Sequence, residues 1–274
     1  MIYKFIVICS LWFCIGCGHN MSPSSVKATG DTSSILRVLT YNIHHASPPS
    51  KPGLIDIDAI ANVITKQQPD LIALQEVDVN TSRSGKTINE AAEIAKKTGM
   101  EHYFFAKAID YDGGEYGVAI LSKFPLEQKM INKLPTEEST GGEHRILATT
   151  VVQLPNGKKI IFACTHLDAQ KKDTNRILQI NKIIELIRAA SAQPIIIAGD
   201  FNATPGSNTI NTLDKSFTRT CVSCGFTIPS VNPTKTIDFI GYRPFGVFTV
   251  KKHEVVNEGY ASDHLPVFAI LEIR

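Results

Sequence analysis

A carboxylate and a carboxamide follow a short apolar run in the second half of the chain. Asp200 and Asn202 come directly after the run at residues 195–197. Side chains two residues apart on an extended segment point to the same side, so we expect both at the exit of a buried strand. Such a place suits the binding of phosphate and water. An Asp-x-Asn sequence is also a common turn former, and for this motif alone that alternative stays open.

Other short, β-prone apolar segments also end in polar side chains. These segments are distributed along the chain from residue 36 to residue 267. Their polar residues are of the types that a metal-dependent phosphoesterase needs, namely Asn42, Glu76, His166, Asp238, Asp263 and His264. Together with Asp200 and Asn202 they supply hard oxygen ligands, proton acceptors and imidazoles for one site.

The order of these motifs resembles the endonuclease/exonuclease/phosphatase superfamily of Mg-dependent phosphoesterases. The resemblance covers the chain from about Ile35 to the end. Deoxyribonuclease I, abasic-site endonucleases, neutral sphingomyelinases and inositol polyphosphate 5-phosphatases belong to that superfamily, and this chain is most similar to its small bacterial metal-dependent hydrolases. The resemblance implies an α/β fold, a four-layer α/β/β/α sandwich of two mixed β-sheets flanked by helices. It also implies that the motif residues converge at one end of the sandwich.

Glu76 is the first predicted ligand of a divalent cation. Mg²⁺ prefers oxygen ligands and keeps several waters, so one or two carboxylates and a substrate phosphate are sufficient. The amide oxygen of Asn42 and the carboxylate of Asp263 are predicted as further ligands or water-mediated contacts, as the resemblance also implies. We therefore predict Mg²⁺ as the cofactor, with Mn²⁺ as a substitute.

The catalytic residues are predicted to act directly on water. Asp238 and His264 form a carboxylate–imidazole pair that orients the attacking water or holds a phosphate oxygen. Asp200 is the other candidate for holding or deprotonating that water, and Asn202 is predicted to bind a phosphate oxygen. The sequence does not choose between these candidates for the water. Because no Ser or Cys lies in a nucleophile elbow, we expect no covalent enzyme intermediate.

Three further residues are assigned to the substrate. His166 resembles the second histidine of the nuclease and sphingomyelinase branches, where it protonates or stabilises the leaving group. We expect Glu115 as its carboxylate partner. Arg145 either reaches a phosphate group or is a charge at the start of a strand, and Tyr116 has the same two alternatives.

The N-terminus indicates export. After Lys4 the apolar run is too short for a comfortable transmembrane helix and is typical of a signal sequence. Residues 14–17, Cys-Ile-Gly-Cys, resemble a bacterial lipobox, which predicts a signal peptide over residues 1–17 and a lipid on Cys17. Because Leu normally stands where Cys14 is, an ordinary signal peptide or an uncleaved anchor remains the alternative. We expect a membrane-anchored lipoprotein that faces the periplasm or the cell exterior.

The rest of the chain is predicted to be a tether and one domain. Residues 18–34 are rich in Ser, Thr, Gly and Pro and form a flexible tether. Residues 35–274 suffice for one large core, and we expect a monomeric catalytic domain. Helices are expected after Asp56, from Asn89 to a C-terminal cap at Gly99, and after Asp173.

The six cysteines fall into two groups. Three of them lie in the predicted signal peptide. Cys221 and Cys224 are predicted to form a local disulfide outside the cytoplasm, because a zinc site would need two more ligands nearby. Cys164, within an apolar strand, is expected as a buried free thiol.

The substrate is left open by the sequence. The net charge is +2, and removal of Lys4 with the signal peptide leaves +1, which disfavours a dedicated duplex nuclease. Lys171 and Lys172, near His166, are either a local basic patch or a solvated surface. We expect hydrolysis of a phosphodiester or a phosphomonoester. The alternatives are an extracellular nuclease and a non-catalytic, tethered protein that binds a phosphate ligand.

Overall fold

The computed structural model describes residue 1, residues 34–189 and residues 193–274. Nearly all of the predicted signal peptide and tether, with the lipidation residue Cys17, lies outside the described residues. The described chain from Ser34 onward belongs to one compact unit. Within the described residues, no helix combines the length and the apolar character that crossing a bilayer requires.

The first sheet is mixed. Its strands are β1 (Ser34–Asn42), β2 (Leu71–Val79), β3 (His102–Tyr111), β4 (Gly114–Ser122), β11 (Phe248–Val255) and β12 (Val267–Ile273). They lie in the order β11, β12, β1, β2, β4, β3. β1 and β2 are parallel, whereas the other neighbours are antiparallel. The carboxyl ends of β1 and β2 therefore meet at one edge of this sheet.

The second sheet repeats this arrangement. Its strands are β5 (Leu126–Lys133), β6 (Ile146–Gln153), β7 (Lys159–His166), β8 (Ile195–Asp200), β9 (Thr218–Arg219) and β10 (Asp238–Arg243). They lie in the order β5, β6, β7, β8, β10, β9. Here β7 and β8 are the parallel pair, and the other neighbours are antiparallel. Their carboxyl ends bring His166 and Asp200 together.

Helices cover the outer faces of both sheets. They are α1 (Ile57–Gln67), α2 (Glu90–Thr98), α3 (Thr174–Ala189) and α4 (Asn208–Asp214). The first two begin as predicted, since the side chains of Asp56 and Asn89 accept hydrogen bonds from backbone N–H groups of the first turn. Gly99 ends α2 with a φ of 69°, a left-handed conformation that glycine adopts without steric cost.

Three apolar layers hold the elements together. The layer between the two sheets contains Val38, Ile120, Phe162, Ala198 and Ile240. A second layer joins the first sheet to α1 and α2 through residues such as Ile64, Leu74 and Ile94. The third joins the second sheet to α3 and α4 through residues such as Ile183, Ile197 and Leu213. Because the central strands are buried on both faces, they are nearly continuous apolar runs. The predicted four-layer α/β/β/α sandwich is confirmed.

The cysteine predictions agree with the structure. Cys221 and Cys224 form a disulfide in the loop between β9 and β10. Cys164 is a buried free thiol, and burial raises its pKa to about 12. Its Sγ accepts a hydrogen bond from the Gln75 side chain on the facing sheet, at 3.4 Å. The thiol therefore links the two sheets and stays protonated at neutral pH.

Candidate active site

Three polar side chains lie side by side on neighbouring strands of the second sheet, at the carboxyl ends of β7 and β8. His166 on β7 is paired with Asp200 on β8, and Asp200 is paired in turn with Asp238 on β10. Directly paired residues project to the same face of a sheet, so all three side chains face the first sheet. All three are buried. The strand register alone therefore assembles a histidine and two carboxylates.

His264 forms an ion pair with Asp238. Its Nδ1 lies 3.0 Å from Asp238 Oδ2, and its Nε2 lies 3.8 Å from Asp200 Oδ2. Burial lowers the pKa of His264, but the charge and hydrogen bond of Asp238 outweigh it, and the pKa rises to about 10. The predicted carboxylate–imidazole pair is present in the structure, and its ring is protonated at neutral pH.

Asp200 is the carboxylate at the centre of the site. Its Oδ1 accepts a hydrogen bond from the Asn202 backbone N–H at 2.8 Å, and its Oδ2 accepts one from Asn42 Nδ2 at 3.1 Å. Burial and then the charge of Asp238 raise the pKa of Asp200 to about 7. A carboxylate with such a pKa is suited to take a proton from water near neutral pH.

Asn202 faces the site for a reason other than the predicted one. β8 ends at Asp200, and Asn202 lies in a turn with a φ of 46° instead of on an extended strand. Its Nδ2 donates to the Leu167 carbonyl at 3.0 Å and lies 3.1 Å from His166 Nε2. The turn-former interpretation and the functional one are therefore both consistent with the Asp-x-Asn motif, because the turn is what brings the carboxamide to the site.

The His166 ring has donors on both sides. Arg145 Nη1 lies 3.3 Å from its Nδ1, and Asn202 Nδ2 lies near its Nε2. A neutral imidazole has one lone pair, so it accepts from one of these donors and carries a proton on the other nitrogen. Burial, then the charges of Arg145 and His264, hold the pKa of His166 well below its usual value. The ring is therefore neutral at neutral pH. It can donate a hydrogen bond from its N–H group, but it does not carry the extra proton that an imidazolium acid would transfer.

The predicted pairing of Glu115 with His166 is wrong. Glu115 Oε1 lies 3.2 Å from Lys107 Nζ, at the hairpin between β3 and β4. In the β3–β4 pairing Glu115 is opposite Asp110, which makes Lys107 its diagonal neighbour. The carboxylate that lies next to His166 is Asp200, whose Oδ2 is 3.5 Å from Nε2, and Arg145 lies at the other ring nitrogen.

Arg145 and Tyr116 form one wall next to His166. Both side chains are buried, and with His166 they line a small pocket. Arg145 Nη2 also lies 3.0 Å from Glu143 Oε2. Arg145 is therefore not a solvated charge at the start of a strand. Its guanidinium is held in position at the edge of the site.

A β-bulge directs Glu76 toward the site. Gln75 faces the second sheet, so regular alternation would turn Glu76 toward the helices. The register of β2 against β4 shifts between Gln75 and Val77, and Glu76 itself has a φ of 57°. The bulge changes the direction of the side chain, and Glu76 Oε1 accepts a hydrogen bond from Asn42 Nδ2 at 3.0 Å. Asn42 thus joins Glu76 to Asp200.

The donor set fits a divalent cation at two neighbouring places. We call Asp200, Asp238 and His264 the buried group, and His44, His45 and Glu76 the half-buried group. In each group, one potential ligand atom per residue lies within 4.8 Å of the others. The charge of the half-buried Asp263 raises the pKa of both His45 and His264, so this carboxylate lies near both groups. Carboxylate and imidazole donors are common metal ligands.

The two adjacent histidines were not singled out by the sequence reasoning. They directly follow Asn42 and Ile43 at the end of β1. The signal available was the His-His pair itself, immediately after a strand that ends in a predicted site residue.

A basic groove leads away from Asn202. It has a volume of about 990 Å³, and its lining includes Lys171, Lys172 and Lys235. Within the described part of the chain, none of these three ammonium groups forms an ion pair. The groove therefore presents positive charge next to the site, which favours an anionic ligand.

Comparison with known proteins agrees with this geometry. The profile of the Endonuclease/Exonuclease/phosphatase family matches residues 39–264, which is most of the chain and includes the whole site from Asn42 to His264. The chain belongs to this family. Members of the family are hydrolases of phosphoester bonds. The resemblance seen in the sequence is therefore confirmed.

Relatives of the chain are found among bacterial and eukaryotic members of the family. The uncharacterized protein YbhP of Escherichia coli (strain K12) is 24% identical over 250 residues, 87% of this chain and 96% of YbhP. The inositol phosphosphingolipids phospholipase C of Schizosaccharomyces pombe is 29% identical over 189 residues, 62% of this chain and 42% of that protein. A crystal structure of an endonuclease/exonuclease/phosphatase from Beutenbergia cavernae superposes with a TM-score of 0.74, at 24% identity over 87% of this chain and 72% of that one.

Proposed function

We propose that this protein is an exported, Mg²⁺-dependent phosphoesterase that hydrolyses a phosphodiester or phosphomonoester by direct attack of water. One observation carries the proposal. The carboxylate of Asp200 lies between the Asp238–His264 ion pair and the Asn42 side chain, which also contacts Glu76. The proton acceptor Asp200, the positively charged His264 ring and the proposed metal ligand Glu76 thus lie together. Hydrolysis of a phosphoester needs a proton acceptor, positive charge and a bound metal ion.

Asp200 is the residue that accepts the proton of the attacking water. Its pKa of about 7 allows it to be ionised in a large fraction of molecules at neutral pH and still to bind the proton released by attack. The hydrogen bond from the Asn202 backbone N–H fixes the carboxylate. Asp238 is engaged with His264 and is less suited to this task.

His264 and Asn202 hold the phosphate. The His264 imidazolium presents Nε2 toward Asp200, where its positive charge opposes the negative charge that develops on the non-bridging oxygens. Asn202 supplies an amide donor next to His166. His166, kept neutral by burial and Arg145, donates a hydrogen bond to the leaving oxygen.

Glu76 and Asp263 are the residues that would hold the divalent cation. The Asn42 side chain presents Nδ2, and not the predicted Oδ1, to Glu76 and Asp200, so it positions these two carboxylates. When bound, a Mg²⁺ or Mn²⁺ ion supplies Lewis-acid polarisation of the phosphate. The fit rests on the donor set of the half-buried group, in which the Glu76 carboxylate lies near two imidazoles. The bulge at Glu76 is the feature that directs this carboxylate toward the site.

Two observations support an anionic phosphodiester such as a lipid headgroup as the substrate. The groove next to Asn202 carries three lysines. The relative from Schizosaccharomyces pombe is named a phospholipase C of inositol phosphosphingolipids. A lipid on Cys17 would keep the enzyme close to such substrates. The lysines of the groove would also suit nucleic acid, and the observation against the nuclease alternative is the low formal charge of +2.

A hydrolysis screen tests the proposal. The full-length protein, purified in detergent, is assayed with Mg²⁺ against bis-p-nitrophenyl phosphate, p-nitrophenyl phosphate, sphingomyelin, an inositol phosphate and plasmid DNA. We expect turnover that Glu76→Gln and His264→Gln each reduce by at least about 100-fold. The control Glu101→Gln, an exposed residue before β3, should keep full activity.

The screen also separates the alternatives. A folded protein that binds phosphate but cleaves none of these substrates would support the non-catalytic binding protein instead. Preferential cleavage of DNA would favour the nuclease. The export proposal is tested separately, since Cys17→Ser should release the protein from the membrane fraction.

A further inference from the structure

We propose that His44 and His45 are metal ligands together with Glu76, so that the half-buried group binds a transition-metal ion such as Zn²⁺ or Co²⁺ more tightly than Mg²⁺. The inference deepens the proposed function, since it concerns the ion of the same site. It differs in its donor set, because two imidazole nitrogens join the oxygen ligands that were predicted from the sequence.

The geometry of the half-buried group is close to that of a metal site. One potential ligand atom from each of His44, His45 and Glu76 lies within 4.8 Å of the others. The two imidazole rings have centroids 4.5 Å apart and are tilted by 58°. Ligands bound at about 2.0–2.2 Å to one ion lie closer together than this limit, so a small contraction would complete the site.

The His44 ring is oriented for coordination. Its Nδ1 lies 2.8 Å from the Ser47 carbonyl oxygen. A carbonyl oxygen only accepts, so Nδ1 carries the proton and Nε2 carries the lone pair. A backbone carbonyl that fixes the tautomer in this way is the usual outer contact of a metal-bound histidine.

The His45 ring carries a polar atom without a partner. Within the described residues, Nδ1 of His45 is buried and has no hydrogen bond. A buried polar atom without a partner destabilises the folded state, and native structures rarely leave one without a reason. Coordination of an ion through Nδ1 would give this atom a partner.

The backbone that presents the two histidines is strained. His44, His45 and Ala46 are consecutive residues with φ values of 47°, 41° and 52°. Left-handed backbone is costly for residues with a Cβ and persists where surrounding contacts enforce it, often at ligand sites. Here Asn42 Oδ1 accepts from the His44 N–H at 3.1 Å, and the Ala46 carbonyl accepts from the Asp56 N–H at 2.7 Å.

The chemistry of the donors determines the preferred ion. Imidazole binds Zn²⁺, Co²⁺, Ni²⁺ and Cu²⁺ well, whereas Mg²⁺ strongly prefers oxygen ligands and retains its waters. Glu76 supplies a carboxylate that either class of ion accepts. Two imidazoles next to it would add affinity for the transition metals only. A competing explanation is that the histidines bind a phosphate group of the substrate.

Metal titration of the full-length protein in detergent tests the inference without an activity assay. Co²⁺ binding is followed by visible absorption, and Zn²⁺ and Mg²⁺ binding by calorimetry. We expect Zn²⁺ to bind more tightly than Mg²⁺. His44→Gln and His45→Gln should each weaken Zn²⁺ and Co²⁺ binding by about tenfold or more, with little effect on Mg²⁺. The control His102→Gln, at the opposite end of the first sheet, should change none of these affinities.

Some results would overturn the inference. Unchanged Zn²⁺ affinity in both variants would do so, and weaker binding of inorganic phosphate with unchanged Zn²⁺ affinity would support the competing explanation. If a variant fails to fold, Cu²⁺ electron paramagnetic resonance of His264→Gln decides, since the nitrogen hyperfine splitting that imidazole ligands give should then persist without the His264 ring, and its absence would overturn the inference. Loss of Zn²⁺ affinity in a protein that hydrolyses no phosphoester would leave this inference standing and refute only the proposed function.

Discussion

The two groups of the site are constructed in different ways. The buried group, Asp200, Asp238 and His264, is organised around regular strand pairing, in which the two aspartates lie directly opposite each other. The half-buried group depends on irregular backbone, since His44 and His45 lie in a left-handed turn and Glu76 lies on a bulge. Regular sheet register thus holds the groups to which we assign proton transfer. Irregular local backbone presents the groups that we propose as ligands of the ion.

The two groups also differ in their electrostatics, because the buried group has strongly shifted pKa values and the half-buried group lies closer to solvent. Two carboxylates and an imidazole share the buried group, and their mutual charges shift the pKa of Asp200 to about 7 and that of His264 to about 10. Perturbed pKa values of this kind are typical of catalytic residues. The half-buried group is closer to solvent, which a metal ion and its waters require. If this division is correct, each group can be damaged without the other.

Asp200→Asn should have the largest effect. It removes the proton acceptor, and we expect kcat to fall by about 1,000-fold. Co²⁺ binding at the half-buried group should remain within a small factor of the wild-type value. The measurements are steady-state kinetics and visible absorption, with Asp214→Asn as the control in an exposed ion pair with Arg219. Loss of Co²⁺ binding together with activity would show that the two groups form a single ion site.

His166→Asn should have the next largest effect, and its size should depend on the leaving group. The neutral ring stabilises the leaving oxygen, so we expect a loss of about 100-fold with an alkyl phosphodiester and of about tenfold or less with a p-nitrophenyl ester. The measurement is kcat/KM for both substrates. Equal losses with both would argue against a leaving-group role. The variant His253→Asn, on β11, provides the matched control.

Asp238→Asn should move the pH range of activity. In the wild-type protein, activity should rise as Asp200 ionises near pH 7 and fall as His264 loses its proton near pH 10. Asp238 raises the pKa of both groups, so its neutralisation should shift both limbs of the profile to lower pH. We expect about a tenfold loss at pH 9. A profile of kcat/KM against pH tests this, and an unmoved alkaline limb would contradict the assignment of His264.

Glu90→Gln should have the smallest effect and should change stability instead of chemistry. Glu90 is buried behind β2, where its Oε2 accepts from the Asp78 backbone N–H at 2.8 Å, near the half-buried group. Burial raises the pKa of Glu90 to about 8, which exceeds its unfolded value of 4.5. Between these values the native state holds a proton that the unfolded state has released, so wild-type stability falls as pH rises.

In the Glu90→Gln variant, glutamine keeps the hydrogen bond from Asp78 but has no proton to release, so it removes the loss of stability at high pH. We therefore expect Glu90→Gln to be more stable than the wild-type protein above pH 8, by on the order of 1 kcal/mol or more. Urea denaturation at pH 5 and pH 9 is the measurement. Identical pH dependence in the two proteins would disprove the assignment. Glu93→Gln, also on α2, serves as the control.

Much of the fold was predictable because it follows from local patterns. The helix starts at Asp56 and Asn89 and the end at Gly99 depend on capping within a few residues. The family resemblance then supplied the four layers. It also named the residues that the structure brings together around Asp200.

Several details of the site could not be predicted from the sequence, because they do not follow from local patterns. The bulge at Glu76 and the left-handed turn at His44 and His45 break the periodicity that sequence reasoning assumes. The carboxylate partner of His166 was assigned to Glu115, but the structure places Asp200 and Arg145 next to the ring. Such contacts join residues that are distant in sequence, and their identity depends on how the strands pair.

The sequence by itself determined the chemistry that is available, since residue types fix which side chains can bind metal, accept protons or donate to phosphate. It also determined the starts of α1 and α2, because capping by Asp56 and Asn89 is local. Only the tertiary structure decided the electrostatic state of the site. The pKa values of Asp200, His166 and His264 arise from burial and from charges on neighbouring strands, and neither exists before the two sheets pack.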